Sequence, residues 1–211
     1  MRVSCTTLES FRIYMSTKND WMTEADLVAS IKRETPDSPA MALGRAFESV
    51  LMAPERYKTD GAYSCGGYVF NDKAMDFSIA LVDRRGVFQV KATKSYDNVD
   101  VVAVADLIVG TTIYEWKTTA SSFNVDKYLE SCQHRFMADI FQPSRITYHV
   151  FCLGERDGEI TLKGIETFTL YPYPELHADC CEMVRRFAEY VTAKGLDVLL
   201  NERQRAATEA A

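Results

Sequence analysis

Hydrophobic and polar residues alternate through the middle of the chain and recur at helical spacing near both ends. Alternation predicts strands, because successive side chains point to opposite faces, whereas apolar residues three and four apart predict helices. The pattern predicts helices over 5–16, Thr23–Ile31, Ala40–Met52, Val125–Phe141 and Glu175–Lys194, and a helical or frayed tail from Asn201. It predicts strands over Tyr68–Phe70, Phe77–Val82, Val87–Lys91, Val102–Ile108, Thr112–Lys117, Arg145–Leu153 and Glu159–Tyr171.

Local signals indicate where the first helices begin and end. Thr6 or Thr7 is expected to cap the first helix, and Thr23 with Asp26 resembles a capping box at the start of the second. Two prolines make 34–39 a loop. The third helix carries its inward apolar stripe on Leu43, Ala46, Phe47, Val50 and Leu51.

Length and composition indicate one globular domain. The chain has 211 residues, 47% of them hydrophobic, with only 10 Gly and 6 Pro. A chain of this size can bury a sizeable core. We therefore predict a single domain over 1–211, with N-terminal helices in 1–57, a catalytic core in 58–171 and a C-terminal helix in 172–211. The expected class is α/β (α+β), a mixed central sheet flanked by helices.

The sequence predicts an intracellular protein without a membrane segment. No apolar run reaches the 18 or so residues of a transmembrane helix, and the N-terminus does not resemble a secretory signal. The six cysteines fit no zinc-binding spacing. We therefore expect them to be buried free thiols, as in proteins of a reducing compartment. They are Cys5, Cys65, Cys132, Cys152, Cys180 and Cys181.

Two acids and a lysine meet on the predicted hairpin around Gly110. Glu115 and Lys117 are two residues apart and therefore emerge on one face of their strand. Tight pairing around Gly110 places Asp106 beside them, within the range of cross-strand neighbours. Carboxylates this close repel each other unless a cation lies between them, and oxygen ligands suit Mg²⁺ or Mn²⁺. The alternative is a surface hairpin with a salt bridge between Lys117 and one acid.

These residues resemble a family signature. Asp106 followed by Glu115-x-Lys117 looks like the PD-(D/E)XK nuclease motif, and Glu-Trp-Lys-Thr-Thr resembles the ExKTT form of RecB-type and phage lambda-type recombination exonucleases. Three further segments follow the family's order. Residues 4–11 resemble its SxSxLxxF segment, and 43–57 are similar to the LGxAFHxxxxxPERF helix of exonuclease VIII-like proteins. Gln133 to Met137 lies where the QxxxY helix follows, although Met137 replaces the tyrosine.

The resemblance implies a restriction-endonuclease-like core and a metal-dependent DNA exonuclease that hydrolyses phosphodiester bonds. Asp106, Glu115 and the Trp116 carbonyl would hold Mg²⁺ or Mn²⁺. Lys117 would position the attacking water and stabilise charge, and Gln133 would help to orient the water. Glu48 would be a third or water-mediated ligand, because lambda-type exonucleases have glutamate there. Glu48 and Gln133 can also be read as ordinary solvated side chains.

An iron–sulfur cluster is not expected. Some RecB-type relatives carry a cluster cysteine just after the SxSxLxxF segment, where this chain has Arg12-Ile13-Tyr14-Met15.

The phage-type resemblance also implies partners and a direction. Such enzymes resect double-stranded DNA ends from 5′ to 3′ for a single-strand annealing protein, here in the host cell if the gene is phage-encoded. Processive members form rings, but these residues specify neither polarity nor a homo-oligomer. A structure-selective or restriction-type endonuclease, a nuclease-like fold used only for binding, and an interaction protein without a nucleic-acid role are the alternatives.

The net charge of −6 provides no overall attraction to DNA. Local cations can still contact phosphates, and ordinary solvated side chains are the alternative reading. The candidates for DNA binding are Arg45, Lys91, Lys94, Lys127 and Arg135. Gln89-x-Lys91 imitates a QxK active site, but it lacks a following Thr-Thr and a preceding acidic hairpin. We interpret it as a decoy on a substrate-side strand, with Lys91 and Lys94 near the DNA backbone.

Overall fold

A computed structural model describes residues 1–16 and 21–209. Within these residues one nine-stranded sheet is flanked by eight α-helices. The strands are β1 (Arg2–Ser4), β2 (Lys58–Thr59), β3 (Ala62–Cys65), β4 (Tyr68–Asn71), β5 (Val87–Tyr96), β6 (Val99–Val109), β7 (Thr112–Thr119), β8 (Arg145–Arg156) and β9 (Glu159–Leu170). The helices are α1 (Cys5–Tyr14), α2 (Glu24–Lys32), α3 (Pro39–Met52), α4 (Asp72–Ala80), α5 (Asp126–Leu129), α6 (Gln133–Phe141), α7 (Leu176–Ala193) and α8 (Asp197–Glu209).

The sheet is mixed, as predicted. Its strands run in the order β1-β6-β7-β8-β9-β4-β3-β2, and β5 pairs with β6 outside this path. The pairs β1·β6, β7·β8 and β4·β9 are parallel, and the remaining pairs are antiparallel.

Strand β6 changes its partner along one edge. Near its end it pairs with β7, from Leu107↔Tyr114 to Val109↔Thr112, and Gly110 makes the turn with φ of +57°. Near its start the parallel strand β1 pairs with residues 100–102 instead. The strands β6 and β7 therefore separate just before Leu107, and this fork in the sheet creates a recess beside Asp106.

Two hydrophobic cores hold the sheet between its helices. One joins the sheet to α1, α2, α6, α7 and α8 through side chains such as Phe11 and Phe187, whose rings lie 5.4 Å apart. The other joins it to α3 and α4, with Phe47 4.8 Å from Phe151. Burial of each such side chain contributes about 1.5–3 kcal/mol, so both layers fix the position of the sheet.

The N-terminal helices agree with the predictions except at the first cap. Thr23 and Asp26 form the predicted capping box of α2. The first helix, however, is capped by Ser4, whose hydroxyl accepts from the Thr7 N–H at 3.1 Å. Thr6 and Thr7 lie inside the helix because β1 ends at Ser4 and the chain turns into α1 directly.

The predicted strand over Phe77–Val82 is wrong, because most of this segment lies in α4. Asn71 caps the helix by accepting from the Ala74 N–H. Met75, Ser78 and Val82 are buried, whereas Phe77 is 59% exposed. Burial therefore follows helical spacing, which a short apolar run does not distinguish from alternation.

The predicted helix over Val125–Phe141 is also wrong, because it breaks into α5 and α6 between Glu130 and Cys132. The Cys132 N–H donates to Glu9 Oε2 at 2.7 Å, and the Gln133 N–H donates to Ser131 Oγ at 3.1 Å. These acceptors replace the carbonyls of a continuous helix, so a new helix starts at Gln133.

The six cysteines have free thiols, and Cys5, Cys132 and Cys180 are buried. Among the helices of the described ranges, none combines the length and hydropathy that crossing a membrane requires.

Candidate active site

Asp106 and Glu115 face each other across the fork between β6 and β7. The Asp106 N–H donates to Glu115 Oε1 at 3.2 Å, and the Trp116 N–H donates to Asp106 Oδ2 at 2.8 Å. Where the β6–β7 pairing stops, the two carboxylates therefore accept hydrogen bonds from backbone N–H groups of the two strands. Strand β6 continues beyond Asp106 to Val109, so the aspartate lies inside the strand rather than at its end.

Lys117 completes this group. Its Nζ lies 2.8 Å from Glu115 Oε2 and 3.8 Å from Asp106 Oδ2, and its side chain is 32% exposed. Desolvation alone would lower the pKa of Lys117, but the carboxylates of Glu115 and Asp106 raise that pKa well above its usual value. Lys117 is therefore a charged hydrogen-bond donor at neutral pH, which suits the stabilisation of a developing anion.

Burial changes the acidity of the carboxyl groups. Glu115 is 1% exposed, and burial raises its pKa; Lys117 opposes this shift and Asp106 adds to it. Burial and the charge of Asp106 also raise the pKa of Glu48, to about 7, against the effect of Lys117. A cation among these carboxyl groups would favour their charged forms.

Helix α3 brings Glu48 to this group. A Cβ at Gly44 would lie 3.2 Å from Thr118 Oγ1, so the glycine permits close approach of α3 to β7. Gly44 lies one turn before Glu48 on the same helix, so this contact sets the position of Glu48 beside β7.

Gln89 also lies at this group, although it was not predicted as a site residue. Its Nε2 donates to Glu48 Oε1 and lies 3.4 Å from Asp106 Oδ1. Only the register of β5 on β6 could have revealed this, because the pairs Phe88↔Leu107 and Val90↔Ala105 place Gln89 opposite Asp106. Gln89 thus contacts two of the predicted site residues, whereas Gln89-x-Lys91 was interpreted from the sequence as a decoy.

A cavity of about 620 Å³ opens beside Lys117. Gln133 lines the same cavity, so the structure places this predicted residue on a wall that it shares with Lys117. Tyr148 and Arg12 also contribute to the wall, and Glu9 binds Arg12 with oxygen–nitrogen distances of 2.8–3.2 Å. Arg12 was not identified from the sequence, where it was considered only as a departure from the cluster cysteine.

The five predicted DNA-binding cations lie in different surroundings. Lys127 lines the cavity and Lys91 is exposed on β5. The others contact acids: Arg45 pairs with Asp37, Lys94 with Asp139, and Arg135 lies 3.9 Å from Asp179. Lys91 and Lys94 are three residues apart on β5 and therefore point to opposite faces.

The backbone of Trp116 lies at the fork, and its ring packs in the hydrophobic core that joins the sheet to α3 and α4. Trp116 is 7% exposed, and its ring centroid lies 5.9 Å from that of Phe88. In a strand the N–H and C=O of one residue point to the same side, so its carbonyl faces the fork as its N–H does.

The side chains and carbonyl at the fork offer oxygen atoms, the type of ligand that a hard divalent cation prefers. Asp106, Glu115 and Glu48 supply carboxylate oxygens, and the Trp116 carbonyl faces the same recess. Within the described ranges no three His, Cys, Asp or Glu side chains are arranged to hold an ion together. Donors of Gln89 and Lys117 bridge the carboxylates instead.

Comparison with known proteins supports the fold. The sequence matches no family model and no curated protein. A crystal structure from Eubacterium rectale that carries a provisional exonuclease name is similar, with a TM-score of 0.55 and 13% identity over 92% of this chain and 81% of that one. An alkaline exonuclease from Laribacter hongkongensis has a TM-score of 0.50 and 12% identity over 100% of this chain and 95% of that one. The chain therefore has an exonuclease-like fold, and the predicted fold class is confirmed.

Proposed function

We propose that the protein is a metal-dependent DNA exonuclease that hydrolyses phosphodiester bonds. The observation that carries the proposal is the meeting of Asp106, Glu115 and Lys117 at the fork, beside a cavity of about 620 Å³. The likeness of the fold to solved exonuclease structures supports it.

The cation would be Mg²⁺ or Mn²⁺, held by Asp106, Glu115, Glu48 and the Trp116 carbonyl. When bound, it would polarise the scissile phosphate and lower the pKa of the attacking water. Lys117 is charged and partly exposed, so it can donate to the phosphate or to the water while Glu115 holds it in place. Gln133, on the cavity wall, would orient the water or a phosphate oxygen.

The DNA would run along the cavity wall and the exposed edge of β5. Lys127 and Lys91 would contact phosphates there directly. The side chains of Arg45, Lys94 and Arg135 would have to exchange an acidic neighbour for a phosphate. The 5′-to-3′ direction, double-stranded ends, a single-strand annealing partner and a homo-oligomer remain part of the proposal through the family resemblance.

Digestion of end-labelled linear DNA and of covalently closed circular DNA tests the proposal. Each substrate is followed over time with Mg²⁺, with Mn²⁺ and with a chelator. Asp106→Asn keeps an acceptor for the Trp116 N–H, and we expect it to lower the rate about 100-fold or more. Asp100→Asn, on the same strand but hydrogen-bonded to Ser95 and Gln204, is the matched control and should leave the rate unchanged.

The outcomes separate the candidate functions. Metal-dependent loss of linear DNA alone supports the exonuclease, and the order in which 5′ and 3′ labels are released gives its direction. Cleavage of the circle would identify an endonuclease. Absence of cleavage by the folded protein with either cation would contradict an enzyme and favour a binding module.

A further inference from the structure

Gln89 has an unusual backbone for a residue within a strand. Its φ is +51°, in the left-handed region that glutamine rarely adopts. The β5–β6 register passes from Phe88↔Leu107 to Val90↔Ala105 without a Gln89–Asp106 pair. Such a backbone conformation is strained and persists only where the surroundings enforce it.

The two strands change faces at this point. Ala105 packs in the core beneath α1, α6 and α7, whereas Leu107 packs in the core beneath α3 and α4. In a regular strand residues two apart share a face. The irregularity at Gln89 and Asp106 therefore brings the two side chains together, and Gln89 also reaches Glu48 of α3.

We propose that Gln89 is a residue of the cation site and that its side-chain oxygen is one of the donors to the cation. This inference rests on the proposed metal dependence. A primary amide has a donor end and an acceptor end of nearly the same shape. The nitrogen end faces the two carboxylates, and rotation of the amide by half a turn would present Oε1 there instead. Amide oxygens are established ligands of hard divalent cations.

The side chain of Gln89 is turned toward two acidic residues. Among the contacts of the described residues, both of its side-chain hydrogen bonds go to Glu48 and Asp106. Each of these carboxylates belongs to a different element, α3 or β6. Gln89 thereby links the acid on the helix to the acid on the strand, and its amide oxygen would join them in holding the cation.

Calorimetric titration of the full chain with Mn²⁺ in the absence of DNA tests the proposal. Gln89→Leu removes the amide at constant size, and Gln89→Asn tolerates a left-handed backbone but is one methylene shorter. We expect both to weaken Mn²⁺ binding about tenfold or more, as substitutions around metal ligands do. Gln89→Glu supplies two oxygens and should bind Mn²⁺ at least as tightly as the wild type.

The chain offers a matched control. Gln142 also has φ of +51°, but it is the exposed C-cap of α6, at the opposite end of that helix from Gln133. Gln142→Leu makes the same change on the same backbone and should leave Mn²⁺ affinity unchanged. Thermal unfolding with and without Mn²⁺ supplies a second readout, because a ligand that binds only the folded state raises its stability.

Two failures are distinguishable. If the wild type binds no Mn²⁺, the proposed metal dependence is wrong. If the wild type binds Mn²⁺ and Gln89→Leu or Gln89→Asn binds it equally or more tightly, Gln89 is not a donor and only bridges the two acids.

Discussion

The carboxylates at the fork are held by hydrogen-bond donors from several parts of the chain. Asp106 accepts from a backbone N–H, Glu115 from Lys117, and Glu48 from Gln89. Burial works against the charged forms of Glu48 and Glu115 and raises the pKa of each. With three carboxyl groups and one lysine, the group has an excess of negative charge when its acids ionise, and a cation would offset that excess. The raised pKa values also make the free energy of unfolding depend on pH.

Glu48 should make the cation-free protein less stable as the pH rises. Its pKa is raised from 4.5 to about 7 in the folded state, so its contribution is fully present below pH 4.5 and is lost as pH rises through 7. Glu48→Gln still accepts from Gln89 but does not titrate. In chelator we expect it to gain on the order of 1–2 kcal/mol over the wild type between pH 4.5 and pH 8.

Chemical unfolding at several pH values measures this difference. Glu55→Gln, in the exposed turn that follows α3, controls for the loss of one negative charge. A difference between Glu48→Gln and the wild type that stays constant with pH would contradict the prediction.

Helix α3 positions Glu48 because it lies directly against β7. The contact is between Gly44 and Thr118, the residue after Lys117, so the spacing of helix and strand is set within one turn of the site. A side chain at Gly44 would separate them. Proteins accommodate added methyl groups in packed contacts poorly.

Gly44→Val should lower the free energy of unfolding by about 1–3 kcal/mol and weaken Mn²⁺ binding, because it moves Glu48 away from Asp106. Gly164→Val is the matched control, since a Cβ there meets no atom within 4 Å. Unfolding and calorimetric titration of both variants provide the measurement. Equal Mn²⁺ affinity in the two variants would show that the spacing of α3 and β7 does not matter for the site.

Elements with strong local signals were predictable from the sequence. The β6–β7 hairpin was found because alternation flanks a glycine that makes the turn, and α2 because its capping box lies within four residues. The residues Asp106, Glu115 and Lys117 meet for the same reason. These elements are specified by neighbours in sequence, which a pattern can show.

Elements that depend on distant contacts were not predictable. The break before α6 is made by Glu9, 123 positions before Cys132. The place of Gln89 depends on a left-handed backbone and on the ten-residue β5 strand, which continues beyond Lys91 to Tyr96. Asp97, with φ of +52°, makes the turn into β6 and fixes that register, and this turn was not among the predicted elements.

The whole molecule is acidic, with a net charge of −6, yet the proposed substrate is a polyanion. Binding then depends on a few cations in the right place rather than on the overall field. Of the predicted cations, Lys127 lies on the cavity wall, whereas Arg45 and Lys94 pair with acids. We therefore expect a modest salt dependence of DNA affinity.

Lys127→Ala should lower the affinity for double-stranded DNA and reduce the slope of log affinity against log salt concentration by about 0.9, the value for one lost phosphate contact. Arg185→Ala removes the same charge from α7, where Glu182 and Glu189 hold the guanidinium, and should leave the slope unchanged. Fluorescence anisotropy with Ca²⁺ in place of Mg²⁺, at several salt concentrations, provides the measurement. An equal loss of slope in both variants would mean that the net charge, rather than the cavity wall, governs DNA binding.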